Sequence, residues 1–221
     1  MHMLGHHSQA ATAGVATRGH VLHWARFYDP LVTLVTLGRA SAMREQAADL
    51  AAIQPGQSVL DVGCGTGELT QRAHARAGAS GLVCGIDPSA EMIAVARRKA
   101  ARAGIGIDYR IAAIEALPYP DASFDRVLSS LMMHHLPGDL KSLGLAEVRR
   151  VLKPDGRLLI VDLKRPRGFL AHLTVATLVH HGAADGLEDL PALVQAAGFT
   201  DIESGGMRFS SLGYVSARAP G

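Results

Sequence analysis

Three glycines at alternate positions, Gly63, Gly65 and Gly67, are the first feature of this sequence that could do chemistry. They follow an apolar run at 58–62 that predicts a β-strand, and a helix-forming run begins at Glu68. A glycine loop between a strand and a helix brings backbone N–H groups close to a ligand, because glycine has no Cβ atom to hold the ligand away. The pattern therefore predicts a ligand-binding loop in an α/β protein.

Acidic residues around this loop narrow the chemistry of the ligand. Asp61 precedes the loop and Glu68 follows it, and the loop contains no Lys or Arg, so a pyrophosphate would be repelled. A dinucleotide fingerprint also has glycine at its sixth position, where this chain has Glu68. Asp87 ends the next apolar run, where a carboxylate can bind both hydroxyls of a ribose. A cationic, adenosine-bearing ligand without phosphate is S-adenosylmethionine.

Four motifs in order, at 59–67, 85–89, 115–125 and 147–156, resemble those of the class I S-adenosylmethionine-dependent methyltransferases. The small-molecule branch is the most similar, including the ubiquinone/menaquinone C-methyltransferases and natural-product O-methyltransferases. The resemblance runs from about residue 28 to 215. It implies a Rossmann-like, doubly wound α/β fold with a seven-stranded sheet, mostly parallel with an antiparallel last strand, and an N-terminal helical cover.

The order of apolar runs agrees with this fold. Strands at 58–62, 82–86 and 107–111 alternate with helices at 68–77 and 90–103, which is the first half of a doubly wound sheet. We expect a strand at 124–130, a helix at 139–152, a turn at 153–156 and a strand at 157–163, then a helix at 187–197 and strands at 200–207 and 212–218. Residues 1–20 are predicted to be disordered and 21–221 to form a single methyltransferase domain, with a helical lid at 21–53 and an acceptor-site insert at 164–186.

Composition excludes several classes of function. The 221 residues carry 22 Lys plus Arg against 20 Asp plus Glu, without a basic block, so nucleic acid is a poor candidate partner. Two cysteines give no disulfide framework, which favours a cytoplasmic protein. No secretory signal or transmembrane segment is expected, since the longest apolar stretch, 169–179, is too short to span a bilayer. The expected partner is a small-molecule methyl acceptor, and a homodimer is left open.

The resemblance also implies which residues bind S-adenosylmethionine, with S-adenosylhomocysteine as the product. These residues are Tyr28, Arg44, Asp61, Gly63, Cys64, Gly65, Thr66, Gly67, Asp87, Pro88, Met92, Ala113, Ile114 and Ser130. One of them departs from the family pattern, because relatives usually have Asp or Asn where this chain has Ala113. The side-chain hydrogen bond to the adenine amino group is then missing, at a net cost of about 0.5–1.5 kcal/mol.

Two histidines are candidates for a catalytic base, which is needed if the acceptor must lose a proton. His134 and His135 follow the fourth strand, and Asp162 ends the fifth. The resemblance implies a His134–Asp162 dyad in which the carboxylate holds the imidazole tautomer. His135 is the second candidate, and no metal site is expected.

Other functions remain open from the sequence. A nicotinamide-dependent dehydrogenase would have the same fold class but different glycine spacing. A methyltransferase-like protein that performs other chemistry, such as cyclisation, or serves as an accessory subunit is favoured by Ala113, whereas Asp61, Asp87 and His134 argue against it. The apolar segment 169–181 suggests a lid over a lipophilic or aromatic acceptor such as a quinone or polyketide, although core packing or a dimer face would explain it equally well.

Overall fold

The structure is a computed structural model that describes residues 17–19, 38–165, 186–209 and 211–221. Most of the expected acceptor-site insert and the first part of the expected lid lie outside these ranges, as does Tyr28. Within the described ranges, no helix is both long and apolar enough to cross a membrane.

A seven-stranded sheet forms the centre of the molecule, in the order β3-β2-β1-β4-β5-β7-β6. Neighbouring strands pair in parallel from β3 to β5, whereas β7 runs antiparallel to both β5 and β6. This arrangement confirms the predicted mostly parallel sheet with an antiparallel last strand. The strands are β1 (Ser58–Val62), β2 (Leu82–Asp87), β3 (Asp108–Ile111), β4 (Phe124–Ser130), β5 (Leu152–Leu163), β6 (Thr200–Gly206) and β7 (Leu212–Arg218).

Helices cover both faces of the sheet because successive strand residues point to opposite sides. In β1, Val59 packs in a core with the helices before and after that strand, while Leu60 packs in the core on the opposite face. Both side chains are fully buried. The helices are α1 (Ala40–Leu50), α2 (Glu68–Ala77), α3 (Ala90–Ala103), α4 (Gly138–Val151) and α5 (Leu190–Ala196), with 3₁₀ turns at Met133–His135 and Leu187–Asp189.

Strand β5 begins earlier than the sequence predicts. Its register with β4 is irregular, since Phe124 pairs with Leu152 but Arg126 pairs with Arg157. The expected turn at 153–156 is therefore absorbed into the strand, where Asp155 has a positive φ of 61°. Beyond it the pairing is regular up to the partners Ser130 and Val161, which aligns the carboxyl ends of β4 and β5.

The strand order reverses between β1 and β4, which is the topological switch point of the sheet. Loops that leave the carboxyl ends of neighbouring strands on the two sides of this point separate, and a crevice opens between them. The loops after β1, β2, β3 and β4 all contribute to one cleft there.

Candidate cofactor and acceptor site

The glycine loop after β1 has the backbone conformation that the sequence predicts. Gly63, Gly65 and Gly67 all have positive φ, at 72°, 53° and 81°. A Cβ atom on Gly63 would lie 2.4 Å from Cγ of Met132, and one on Gly67 would lie 2.4 Å from the hydroxyl of Tyr109. A larger residue at either position would collide with its neighbours, so these glycines permit close packing as well as the turn.

Asp87 joins the glycine loop to the end of β2. Its Oδ2 accepts a hydrogen bond from the backbone N–H of Gly65 at 3.0 Å, and its Oδ1 accepts one from the N–H of Ser89 at 2.9 Å. Burial raises the pKa of Asp87, and these two N–H donors oppose the rise. The carboxylate is thus held in one orientation at the cleft, with acceptor lone pairs left for a ligand.

Asp61 lies beneath the loop and is almost fully buried. The hydroxyl of Thr70, on α2, donates to its Oδ2 at 2.6 Å. The pKa of Asp61 is raised to about 7, chiefly by burial; the charge of Asp87 acts in the same direction, while Thr70 and Arg44 oppose the rise. A cation that binds beside Asp61 would favour its ionised form.

Glu68 has a different environment from the one inferred from sequence. Its Oε1 lies 2.6 Å from Nζ of Lys99 on α3, and its Oε2 lies 3.3 Å from Arg72. Lys99 also donates to the hydroxyl of Thr66 at 3.2 Å. Since Glu68 is paired with cations, the exclusion of a pyrophosphate depends on the glycine spacing, Asp61 and Asp87 rather than on Glu68.

The cleft encloses about 680 Å³ of empty space, which includes its open mouth. Asp87 and Glu115 are the acidic residues of its lining, and among the described residues that line it there is no Lys or Arg. The predicted contacts that line the cleft are Gly63, Gly65, Asp87, Pro88, Met92, Ala113 and Ile114. A lining with carboxylates and without basic side chains fits a cationic nucleoside better than a phosphate.

The remaining predicted cofactor residues have other positions. Cys64 and Thr66 are buried in the loop, and burial raises the pKa of the Cys64 thiol. Arg44, on α1, is close enough to Asp61 to influence its pKa. Ser130, the last residue of β4, is not part of the described cleft lining, whereas the two residues that follow it are.

His134 and Asp162 are brought together as the sequence predicts. Nδ1 of His134 lies 2.6 Å from Oδ1 of Asp162, and the backbone N–H of His134 donates to Oδ2 at 3.1 Å. The side chains are 10% and 2% exposed, so the pair is shielded from solvent. The ring of His135 lies 4.0 Å from that of His134 between centroids, tilted by 44°, and His135 is the histidine among the described residues that lines the cleft. The catalytic roles of all three residues stay predictions.

Several residues of the cleft had no individual role assigned from sequence. Leu131 and Met132 line it directly after β4, and Leu131 has a positive φ of 55° while its N–H donates to the carbonyl of Val161 at 2.8 Å. Such a conformation is uncommon for leucine and is found at functional sites. Glu115 lines the cleft after β3, and Leu131, Met132 and Glu115 thus lie at the strand ends where an open α/β sheet binds ligands. Thr17 also lines the cleft, and no local pattern marks it because its position results from tertiary contacts.

Comparisons with known proteins agree with this geometry. The methyltransferase domain family matches residues 59–156, from β1 into β5. Residues 59–156 therefore carry a methyltransferase domain. This domain is 35% identical over 140 residues to the ubiquinone/menaquinone biosynthesis C-methyltransferase of Hydrogenovibrio crunogenus, and 36% identical over 141 residues to that of Hahella chejuensis. The matches cover 62% and 63% of this chain but only 54% and 56% of the relatives. The chain thus spans little more than half the length of these relatives.

Solved structures confirm the fold of the methyltransferase domain. A SAM-dependent methyltransferase from Aquifex aeolicus superposes with a TM-score of 0.63 at 24% identity, over 80% of this chain and 89% of that one. The [4+2]-cyclase SpnF superposes with a TM-score of 0.69 at 21% identity, over 94% and 99%. At these identities the likeness establishes the fold alone. Among the described residues no cluster of His, Cys, Asp or Glu is placed to hold a metal ion.

Proposed function

We propose that this chain binds S-adenosylmethionine and transfers its methyl group to a small lipophilic or aromatic metabolite. The observation that carries the proposal is the cleft in which Asp87 is fixed by the N–H groups of Gly65 and Ser89. Among its described lining residues this cleft has carboxylates and no basic side chain. These features suit a ribose and a sulfonium, and disfavour a phosphate-bearing cofactor.

The residues present fit this cofactor. Asp87 would bind the ribose hydroxyls, and the loop backbone at Gly63 and Gly65 would face the methionine moiety, with Asp61 beneath it favouring an ammonium group. Pro88 and Met92 would pack against the adenine. When bound, S-adenosylmethionine supplies a methyl group already activated on a sulfonium, so the main work of the protein is to align the acceptor.

His134 is proposed as the base for acceptors that must lose a proton. A carboxylate only accepts hydrogen bonds, so Asp162 favours the tautomer with the proton on Nδ1 and leaves Nε2 of His134 to accept one. His135 lines the cleft and is the competing candidate. A general base near neutral pH typically contributes 10²- to 10⁴-fold in rate.

The acceptor class follows from the apolar surroundings and from the relatives. Leu131, Met132 and Leu136 line the cleft near His135 and would contact an apolar substrate. The matched relatives are named for C-methylation in ubiquinone and menaquinone biosynthesis. A quinol or a related phenolic compound is therefore the first acceptor to test, and a cytoplasmic location remains part of the prediction.

A second function is considered because the side chain of Ala113 cannot form a hydrogen bond with adenine. A protein that binds S-adenosylmethionine without transferring its methyl group, as an accessory subunit or for other chemistry, would retain Asp87 but need no base. His134, held by Asp162, argues for transfer.

Two measurements test the proposal. Calorimetry with S-adenosylhomocysteine and with NADH should detect binding of the first only; binding of NADH alone would indicate a dehydrogenase. Incubation with methyl-labelled S-adenosylmethionine and a panel of naphthoquinols and phenols should label a product. Binding without labelling of any acceptor in a broad panel would favour the second function.

A further inference from the structure

Glu115, in the loop after β3, has one carboxylate oxygen without a partner. The hydroxyl of Thr17 donates to its Oε1 at 2.5 Å. Its Oε2 is buried and accepts no hydrogen bond from any residue that the structure describes. Buried carboxylate oxygens usually have hydrogen-bond donors, so an orphan of this kind calls for an explanation.

The location of Glu115 suggests what the donor is. It lines the same cleft as Pro88 and Met92, which are proposed to pack against the adenine. It stands two positions after Ala113, whose side chain offers no hydrogen-bond acceptor. The chain therefore has a buried acceptor without a described partner beside the proposed adenine position.

We propose that Oε2 of Glu115 accepts a hydrogen bond from the exocyclic amino group of adenine and makes the site selective for adenosine. This inference rests on the proposed function and names a selectivity residue within it. A carboxylate can only accept, so it suits an amino group and repels a carbonyl oxygen at the same ring position.

A short N-terminal strap, residues 17–19, fixes the orientation of this carboxylate. Thr17 occupies Oε1, Arg18 pairs with Asp139 at the start of α4, and Gly19 lies so close to Leu136 that a Cβ would come within 2.9 Å of it. The strap therefore connects the loop after β3 to the segment after β4 across the cleft. With Oε1 bound to Thr17, Oε2 is the carboxylate oxygen left without a donor among the described residues.

The test compares S-adenosylhomocysteine with S-inosylhomocysteine, in which a carbonyl replaces the amino group. In calorimetry the unmodified protein should prefer the adenosine compound by about tenfold or more. Glu115→Gln preserves the shape but offers an amide N–H to the carbonyl, so the preference should fall to about threefold or less. The matched control is Glu203→Gln, an exposed glutamate on β6 outside the cleft lining, which should keep the full preference.

Two further variants separate selectivity from folding. Glu115→Ala should also lose the preference, with an unchanged circular dichroism spectrum. Thr17→Val removes the bond that orients Oε1 but retains Oε2, so it should lower the preference less than either Glu115 variant does. An unaltered preference in both Glu115 variants would overturn the assignment while leaving the proposed function intact. Failure of the unmodified protein to bind either compound would refute the proposed function, and this inference with it.

Discussion

The two halves of the site hold their functional groups in different ways. At the ends of β1 and β2, the backbone N–H of Gly65 donates to the carboxylate of Asp87, and both residues line the cleft. At the ends of β4 and β5, the imidazole of His134, which is not part of the described cleft lining, is held by Asp162, 28 residues away. The first half is a network of backbone and carboxylate groups at the cleft, and the second is a shielded His–Asp pair that we propose as the base.

This difference has a physical origin in the chain. The turn of the glycine loop is encoded locally, because glycines at three alternate positions permit its positive φ angles before the helix begins, and Asp87 then joins it from β2. The second half depends on the register between β4 and β5, in which Ser130 pairs with Val161. A shift of one residue would turn Asp162 to the opposite face of the sheet and separate it from His134.

The largest expected effect is in the second half. His134→Gln should lower turnover 10²- to 10⁴-fold for an acceptor that must lose a proton, since the variant side chain cannot take one up. The affinity for S-adenosylhomocysteine should stay within about twofold, because His134 is not part of the described cleft lining. Single-turnover methyl transfer and calorimetry measure the two quantities.

Two histidine variants sharpen that experiment. His74→Gln, on α2 outside the cleft lining, should have normal turnover. His135→Gln should reduce turnover less than His134→Gln. A larger loss of turnover in His135→Gln would show that His135, which lines the cleft, is the base. The His134–Asp162 pair would then only support the 3₁₀ turn.

In the first half, Asp87→Asn should weaken S-adenosylhomocysteine about 10- to 100-fold. The amide keeps one acceptor oxygen but brings an NH₂ group against an N–H donor of Gly65 or Ser89, and it gives the ribose a weaker acceptor. Calorimetry measures the loss, with Asp201→Asn on β6 as an exposed control. Unchanged affinity in Asp87→Asn would show that the Asp87 carboxylate does not bind the ribose.

Predictability from sequence follows the same division. The structure matches the expected limits of β1, β4, α2 and α3. Glycines and capping residues such as Ser89 mark where these helices begin and end. The cation partner of Glu68 was not foreseen, because Lys99 reaches it from another helix. Thr17 and Glu115 likewise meet across 98 residues, a distance over which no local pattern operates.

A pH experiment tests how Asp61 supports the first half. Its pKa is raised from 3.8 to about 7 by burial, so the folded protein retains a proton that the unfolded chain releases between these values. Asp61 therefore lowers the stability of the free protein progressively as pH rises from about 4 to 7. Asp61→Asn should remove this pH dependence of the free energy of unfolding. Denaturation of both proteins at each pH measures the difference.

The affinity for the ligand should change with pH in the opposite direction to the stability of the free protein. An ammonium group beside it favours the carboxylate, so the affinity for S-adenosylhomocysteine should rise about tenfold from pH 6 to pH 8 and stay flatter in Asp61→Asn. Calorimetry in buffers of different ionisation enthalpy would also detect proton release near pH 6. Parallel pH profiles for the two proteins would show that Asp61 does not ionise on binding.

The smallest expected effect on ligand affinity is at Glu68, the residue that follows the glycine loop. Glu68→Gln should change the affinity for S-adenosylhomocysteine less than about twofold and should not create binding of NADH, because Lys99 and Arg72 already neutralise Glu68.

Burial opposes ionisation of Glu68, but these cations lower its pKa overall, so its small contribution to stability is present above pH 4.5 and lost below. A double-mutant cycle with Lys99→Gln should give a coupling of about 0.2–1 kcal/mol for such a partly exposed pair. NADH binding gained by Glu68→Gln would mean that the charge of this residue, rather than the glycine spacing, excludes dinucleotides.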